Sequence, residues 1–532
     1  MKKKYLLPIK ILDYKGNFNF IDSILKCDID QPSFWFEKNF SSNGGGYIVL
    51  DFGVEINGGI RIVNQGSGNQ NDRNVIRVRF GESVSEVMSN VGEFNSTNNH
   101  SPRDFEYLLP DFSNVEFGNT GFRFVRIDFP NDINQRIYSI NAVSYELAKK
   151  QIGYFKSSDE ELNKIFDVAA RTAKLCVTDY IVDGIKRDRL VWAGDLLVEL
   201  KSLNYLFGNI SQVKKTLLFI EKTNPMPSYI QNMPTYNLWY LACVNEYFKH
   251  NGFDAFVKQR KPYLREILSL INKRISSSGL IDFDNVSGVS FPYFIDWRTA
   301  NCEFAKQSNP CFYLYVLKEC KELLAKLGLD SINESIIVKL LKFEPEVLNV
   351  PQFDCYPLLA SRGDKNSLVN SIICNGEAHF SPFSYIFVLN SIFDYEPRKA
   401  IKMFKNYNMA MVNLGATTFF EEFDYSWKDS IKIDELPNGK FNFLTDCGEG
   451  CYKGLRKSLC HGWASGPVSF IIENIVGFKG VKNNTVIIKP FVGNLDYFDV
   501  SFVCSLGTIK VSYKNHKFTV KVPQGVEYEI IE

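Results

Sequence analysis

Apolar residues in the first 150 positions come in short runs, and some of these runs alternate with polar residues. Connections rich in glycine, asparagine and serine separate the runs. Alternation with a period of two residues is typical of strands that bury one face. The predicted strands cover residues 47–52, 59–63, 75–80 and 121–129. We therefore predict an N-terminal β-sandwich domain over residues 1–153.

The spacing of apolar residues becomes helical near Ser158. Ser158 and Glu161 form a capping-box pattern, which predicts the start of a helix at this point. Apolar residues then recur three and four positions apart, with short breaks, as far as about residue 478. Helices joined by short breaks without a repeated sequence favour a closed helical toroid over a repeat array for residues 154–479. Further helices are predicted near residues 195–207, 211–222, 237–250, 254–276, 302–327, 331–343, 382–394, 396–408 and 463–476.

The strand pattern returns after Gly480. Four runs rich in β-branched and aromatic residues follow, and they predict strands over residues 485–489, 498–502, 508–513 and 517–522. A β-domain of this size buries little core by itself, so we expect residues 480–532 to pack against the helical part. The predicted fold class is multidomain α+β, with helices at the centre and β-domains on both sides.

Composition and charge exclude some classes of function. A formal net charge of +1 on 532 residues gives no basic surface for nucleic acid or anionic membrane. The sequence has no run of about 18 apolar residues, so no membrane helix is expected. The basic residues at positions 2–4 are followed by only three apolar residues before Pro8, too few for a secretory signal. The twelve irregularly spaced cysteines are therefore expected to be reduced thiols in a cytoplasmic protein.

Charged and aromatic residues concentrate in the segment 179–195. Asp183, Asp188 and Asp195 fall within thirteen residues, together with Arg187 and Trp192. Gly184 and Gly194 indicate a loop that leads into a helix near Asp195. Carboxylates, guanidinium groups and an indole suit a ligand with hydroxyls and an apolar face, such as a sugar. A solvated charged loop between two helices is the alternative.

A second acidic cluster follows the extended run 415–420. It contains Glu421, Glu422 and Asp424, which makes a second carboxyl available to the first cluster. Glycosidases need two carboxyls across the bond that breaks, one for the leaving oxygen and one for water or the anomeric carbon. Neighbours in an extended segment face opposite sides, so Glu422 should point away from Glu421. The alternative is an acidic loop beside a helix.

Tryptophans and cysteines give weaker signals. Five of the six tryptophans lie in the helical part, several of them beside acids, where they either fill the core or stack on a sugar. Cys447, Cys451, Cys460 and His461 do not match the usual zinc spacing. The sequence also has no P-loop, GxSxG or Rossmann motif. We therefore predict no metal and no cofactor.

Several blocks together resemble the bacterial α-L-rhamnosidases of glycoside hydrolase family 78. The acidic segment 183–195 and the segment 415–421 are similar to the two catalytic segments of that family. Residues 458–466 resemble its histidine segment. Four blocks resemble its β-sandwich, at residues 50–53, 58–61, 80–83 and 118–123.

The resemblance implies a central (α/α)6 barrel flanked by an N-terminal β-sandwich and a small C-terminal one. It implies an inverting exo-glycosidase that removes terminal α-L-rhamnose, with Asp188 as general acid and Glu421 as general base. The implied pocket residues are Asp183, Arg187, Trp192, Asp195 and His461, with Trp239 and Trp297 as further walls. The implied partner is a rhamnose-containing glycoside, and a homodimer is left open. Two positions depart from the family: many members have glutamate in place of Asp188 and tryptophan in place of Phe420.

Two alternatives remain at this stage. One is another (α/α)6-barrel glycosidase, a deoxy-hexosidase or a glucuronyl hydrolase; the other is a sugar-binding relative without catalysis. A uronate should meet an arginine or lysine clamp, whereas the methyl group of a deoxy sugar should meet an apolar wall.

Overall fold

The computed structural model describes residues 1–26, 29, 40–67, 74–129, 134–300, 302–376 and 380–531, except for the side chain of Cys451. The strands are β1 (Lys2–Leu6), β2 (Lys10–Lys15), β3 (Phe18–Asn19), β4 (Phe40–Asn43), β5 (Tyr47–Gly66), β6 (Val75–Gly81), β7 (Asp104–Leu108), β8 (Ser113–Asp128), β9 (Asn134–Glu146), β10 (Tyr154–Ser157), β11 (Phe478–Lys482), β12 (Thr485–Ile488), β13 (Tyr497–Cys504), β14 (Gly507–Lys514), β15 (Lys517–Lys521) and β16 (Glu527–Ile530).

The helices lie almost entirely between the two groups of strands. They are α1 (Val84–Met88), α2 (Glu160–Leu175), α3 (Ala193–Phe207), α4 (Ser211–Thr223), α5 (Pro234–Asn251), α6 (Ala255–Gln259), α7 (Lys261–Asn272), α8 (Ala305–Glu319), α9 (Lys321–Lys326), α10 (Asp330–Leu340), α11 (Pro351–Leu359), α12 (Lys365–Asn375), α13 (Pro382–Phe393), α14 (Pro397–Asn413), α15 (Phe443–Asp446) and α16 (Pro467–Phe470).

The N-terminal strands form one nine-stranded sheet built around the long strand β5. The order is β3-β4-β9-β5-β8-β6-β7, with β1 on β9 and β2 on β5. The first half of β5 pairs with β2 and β8, and its second half pairs with β8 and β9. The predicted strands 47–52 and 59–63 are therefore two halves of one strand. Gly58 suggested a break, but a Cβ there would lie 1.8 Å from the carbonyl oxygen of Val143, so the glycine permits close pairing.

The first long helix confirms the predicted change to helical structure but corrects its cap. Asp159 caps α2 by accepting hydrogen bonds from the backbone N–H groups of Glu161 and Leu162, at 3.0 and 3.1 Å. The predicted cap at Ser158 was wrong, because the Ser158 hydroxyl instead accepts a bond from the backbone of Asp496 at 2.9 Å. Either residue suits this position chemically, and tertiary contact decides between them.

Most predicted helices are present with small changes in their bounds. The predicted helix over 254–276 is divided into α6 and α7 at Arg260, and that over 302–327 into α8 and α9 at Cys320. Helix α11 was not predicted from the sequence. Its residues from Pro351 to Leu358 are all buried, so it has no polar face to give a periodic signal.

All four predicted C-terminal strands are present, as β12, β13, β14 and β15. They are divided between two sheets, β10-β13-β14-β15 and β11-β12-β16. Strand β10 precedes the helices in sequence but pairs antiparallel with β13. The two ends of the helical part are therefore joined through one sheet. The domain boundaries 153/154 and 479/480 stay predictions.

The structure confirms the mixed α+β class, in several parts. No helix in the described ranges is long and apolar enough to cross a bilayer. Ten cysteines have described side chains and are free, while Cys27 and the side chain of Cys451 lie outside the described residues.

Candidate active site

Three loop segments that are distant in sequence are joined by backbone hydrogen bonds. The N–H of Gly462 donates to the carbonyl of Asp183 at 2.6 Å, and that of His461 donates to Phe419 at 3.1 Å. The N–H of Glu421 donates to the carbonyl of Ser458 at 2.9 Å. The two acidic clusters and the histidine segment therefore meet in one place.

Residues that follow strand β6 of the N-terminal sheet hold these loops in place. Glu82, just after β6, accepts the backbone N–H of Leu459 at 2.6 Å and pairs with the ammonium group of Lys186 at 3.0 Å. Lys186 also lies 3.3 Å from Glu86 and donates to the carbonyl of Lys457 at 2.7 Å. Because Lys186 immediately precedes Arg187, this buried ion pair fixes the acidic segment 183–195 on the N-terminal sheet.

Asp188 lies at the rim of the site, with 24% of its side chain exposed. Its φ of 56° and the same value at Arg189 place two successive residues in the left-handed region. Such backbone persists only where neighbours hold it. Arg189 is held by hydrogen bonds to Asn119, and the Asp188 carboxyl lies 3.1 Å from Nδ1 of His100.

Glu421 is buried at the centre of the site. Its Oε1 accepts a hydrogen bond from Nη2 of Arg187, and Oε2 lies 3.4 Å from the backbone nitrogen of Ser458. The indole N–H of Trp463 donates to the backbone carbonyl of Glu421 at 2.9 Å. Burial raises the pKa of Glu421, and the Arg187 guanidinium opposes that shift.

His461 stands between three carboxyls without a short contact to any of them. Its Nε2 lies 3.7 Å from Glu421 and 4.0 Å from Asp183, and its Nδ1 lies 3.8 Å from Asp195. Burial, and then the charge of Arg187, holds the pKa of His461 well below its usual range, so the imidazole is neutral. Its Nδ1 is buried and has no hydrogen-bond partner, which leaves a polar atom for a bound molecule.

Asp183 and Asp195 both have a raised pKa. Burial is the main cause of the raised pKa of each carboxyl, and neighbouring carboxyls add to it. Backbone N–H groups of Gly184 and Leu190 donate to Asp183 and oppose the shift. A carboxyl accepts a hydrogen bond from a sugar hydroxyl in either form and can also donate one when it is protonated.

Aromatic rings form a row beside the carboxyls. Trp192 contacts Tyr236 edge to face at 6.3 Å, Tyr236 contacts Phe294 at 6.0 Å, and Phe294 contacts Trp297 at 4.9 Å. Trp297 is 36% exposed. The structure thus brings Trp192 and Trp297 into one apolar row.

Trp239 lies away from this row, in the core of the helical part. Its side chain has 0% exposure and contacts Phe312, Phe383 and Phe387 at 4.6 to 5.5 Å between ring centroids. It reaches the site only indirectly, since Phe383 packs on Trp463. In this structure Trp239 presents no face to solvent, so its predicted part in the sugar pocket has no support here.

Glu422 belongs to a separate charged group. It lies 2.7 Å from Nε of Arg298, and Asp424 lies 3.8 Å from the same guanidinium. Burial raises the pKa of Glu422 to about 8, against the charges of Arg298 and Lys457. The two neighbouring glutamates thus have different partners, with Arg187 on Glu421 and Arg298 on Glu422.

Sequence reasoning missed two acidic or aromatic neighbours of the site. Glu199 follows Asp195 by one helical turn, so helical spacing could have placed both on one face. Its pKa is raised well above the usual range, mainly by burial. A Cβ on Gly462 would lie 1.5 Å from the Glu199 carboxyl, so only glycine fits between them. Tyr236 lies one position before the helix predicted over residues 237–250, and nothing in the sequence around it indicated a place beside the site.

The residues considered for zinc do not form a site in the described part of the chain. No group of three or more histidine, cysteine, aspartate or glutamate side chains there is arranged to hold a metal ion. Cys460 lies instead in a small apolar cluster with Leu175, Cys176 and Ile185.

Residues 150–330 match the family model described as the bacterial alpha-L-rhamnosidase 6 hairpin glycosidase domain. This range contains Asp183, Asp188 and Asp195, but not Glu421. No curated protein matches the chain significantly.

Solved structures extend the likeness to almost the whole chain. A family 78 rhamnosidase from Bacillus sp. GL1 superposes with a TM-score of 0.74 at 18% identity, over 96% of this chain and 55% of that one. A Klebsiella oxytoca rhamnosidase with rhamnose bound gives 0.67 at 17% identity, over 88% and 95%. The Streptomyces avermitilis α-L-rhamnosidase complexed with L-rhamnose gives 0.69 at 15% identity, over 91% and 48%.

The present chain thus covers about half of the Bacillus and Streptomyces proteins and nearly all of the Klebsiella one. At sequence identities this low, the superpositions show the fold alone. With the family model over residues 150–330, they confirm the resemblance to the bacterial α-L-rhamnosidases of glycoside hydrolase family 78.

Proposed function

We propose that this protein is an inverting exo-α-L-rhamnosidase, with Asp188 as general acid and Glu421 as general base. The observation that carries the proposal is the position of Arg187. Its Nη2 donates to Glu421, and its Nε lies 3.9 Å from Asp188. One guanidinium within reach of both carboxyls supports the view that they share one small space; inversion requires a separation of about 6.5–9.5 Å between them.

Glu421 suits the role of base. It is buried, and Arg187 favours its ionised form, in which it can take a proton from water. The water then attacks the anomeric carbon from the face opposite the leaving group, and its electrons form the new C–O bond.

Asp188 suits the role of acid, because it lies at the partly exposed rim where a leaving group can depart. It gives its proton to the glycosidic oxygen as the bond to the anomeric carbon breaks. Both carboxyls return to their starting states by exchanging protons with water.

The rest of the site suits a neutral deoxy sugar. Asp183, Asp195 and the neutral His461 offer donors and acceptors for hydroxyls, and the row from Trp192 to Trp297 offers an apolar face. The guanidinium groups of Arg187 and Arg298 are each engaged with a glutamate, which disfavours a uronate clamp. The Klebsiella and Streptomyces relatives were solved with rhamnose.

We also propose the finer architecture that goes with this function. The helices from α2 to α16 would form an (α/α)6 barrel, with the β-parts as flanking sandwiches. The six-hairpin description of the matched family model supports the barrel, and the sheets on either side of the helical part in sequence support the flanking β-parts.

A panel of 4-nitrophenyl glycosides tests the substrate class. We expect turnover of the α-L-rhamnoside. Turnover of the β-D-glucuronide and α-L-fucoside should be at least about 100-fold lower, because a sugar that does not fit leaves buried polar groups of the site without hydrogen-bond partners. Proton NMR at early times should show β-L-rhamnose first. Preferred turnover of the glucuronide, early α-L-rhamnose, or rhamnose binding without any turnover would each contradict the proposal.

A further inference from the structure

His100 is a residue of the N-terminal β-part that reaches the rim of the site. Its Nδ1 lies 3.1 Å from Oδ1 of Asp188. The next residue, Ser101, donates to the carbonyl of Lys186 at 3.0 Å and lies 2.7 Å from the hydroxyl of Thr120. These bonds pin the segment between the sheet and the catalytic loop, so the position of His100 is fixed by its backbone.

The contacts of the Asp188 carboxyl are one-sided. His100 at 3.1 Å and Nε of Arg187 at 3.9 Å both face Oδ1. Both are close approaches rather than completed hydrogen bonds, and both reach the same oxygen. The carboxyl therefore has these neighbours on the side of Oδ1, while its backbone is held in a left-handed conformation.

We propose that His100 is a positioning residue for the general acid: its Nδ1–H donates to Oδ1 of Asp188 and leaves Oδ2 to carry the proton to the leaving oxygen. This inference rests on the proposed function. In the step itself, the proton passes from Oδ2 to the glycosidic oxygen, and that oxygen takes the electrons of the breaking bond. His100 keeps its own proton throughout.

The charges around His100 suit a neutral imidazole with one N–H. Burial lowers its pKa, the charges of Arg187, Arg456 and Lys186 act in the same direction, and Asp188 opposes them. A small cavity of about 20 Å³, the size for one water, adjoins this group. Asp188 itself also faces carboxyls whose protonation it affects, namely Asp183, Asp195 and Glu421.

Removing the donor should loosen the orientation of the Asp188 carboxyl and so slow proton transfer. The slowing matters most where the leaving group needs the proton, because misplacement by about 1 Å can cost about 100-fold.

The test compares His100→Ala with His100→Asn, whose amide nitrogen can occupy the place of Nδ1. For His100→Ala we expect a roughly 10- to 100-fold loss of kcat on an alkyl rhamnoside and a loss below about 5-fold on 4-nitrophenyl rhamnoside. His100→Asn should recover most of the difference. His516→Ala, in the exposed turn between β14 and β15, is the matched control and should behave as wild type.

Equal losses on both substrates, or no recovery with asparagine, would overturn the proposal. A second measurement does not need turnover or a variant. The ¹⁵N NMR signals of the His100 ring in the wild-type protein should show the proton on Nδ1 at neutral pH, and a proton on Nε2 alone would also overturn it. If wild type hydrolyses no rhamnoside, the proposed function fails, while the NMR result still decides whether His100 donates to Asp188.

Discussion

Arg187 donates a hydrogen bond to Glu421, although 234 positions separate the two residues in the chain. The pair is buried, and the same guanidinium faces Asp188. The charge of Arg187 favours the ionised form of Glu421, which is the form that the proposed base needs. The closer contact is with Glu421, the proposed base, and the longer one is with Asp188, the proposed acid.

The neighbouring glutamates should respond differently to the same substitution. Glu421→Gln removes the group that activates water, so turnover should fall by about 10²–10⁴-fold or more for every rhamnoside, whatever the leaving group. Glu422→Gln is the matched control. Because the pKa of Glu422 is raised to about 8, the amide resembles its protonated form, and most activity should remain. An inactive Glu422→Gln beside an active Glu421→Gln would exchange their roles.

Arg187 should set the acidic limb of the pH profile. The base must be ionised, and Arg187 opposes the rise in the pKa of Glu421 that burial causes. Arg187→Gln should therefore raise that pKa further and move the acidic limb of kcat/KM upward by about one unit or more. Arg187→Lys should shift it less. Arg189→Gln, which loses bonds to Asn119 at the rim, is the comparison expected to leave the limb in place; an unmoved limb in Arg187→Gln would contradict the assignment.

Periodicity was enough to predict amphipathic helices such as α2 and α14 and the C-terminal strands. It failed where burial was complete, as in α11, and where glycines inside a strand suggested a break, as in β5. The acidic segments could be recognised by composition and resemblance. Their partners in the β-part could not be predicted, because Glu82 and His100 reach the site only after folding. The block 80–83, which contains Glu82, indicated the β-part but not this contact.

The buried ion pair of Lys186 should matter for stability. Lys186→Met removes the cation from Glu82 and Glu86 and leaves two carboxyls buried without their partner. We expect a loss of about 3–5 kcal/mol in the free energy of unfolding, measured by urea denaturation. Lys321→Met breaks an exposed pair with Glu334 and should cost at most about 1 kcal/mol. Equal losses of unfolding free energy in the two variants would show that the buried Lys186 pair contributes no more to stability than an exposed pair.

Glu82 should make the protein less stable as pH rises. Burial raises its pKa from the ordinary 4.5 to about 7, so the folded state binds a proton in this window that the unfolded state has lost. Its contribution is complete below about pH 4.5 and disappears as pH rises through 7. Glu82→Gln should therefore flatten the fall in unfolding free energy between these limits, measured by urea denaturation at several pH values. A slope equal to that of wild type would contradict this origin.

Asp188→Asn separates the acid from the other carboxyls of its segment. Asparagine tolerates the left-handed backbone at this position, so the variant should fold normally. It cannot donate a carboxyl proton, so hydrolysis of an alkyl rhamnoside should fall by about 10²–10⁴-fold, whereas 4-nitrophenyl rhamnoside, whose phenolate leaves with less help, should lose far less. Asp183→Asn and Asp195→Asn are the comparisons, since these carboxyls are buried and are proposed to bind hydroxyls. Their losses should be similar on the two substrates and should appear largely in KM. A loss that depends on the leaving group in Asp183→Asn or Asp195→Asn, with none in Asp188→Asn, would transfer the role of acid to that residue.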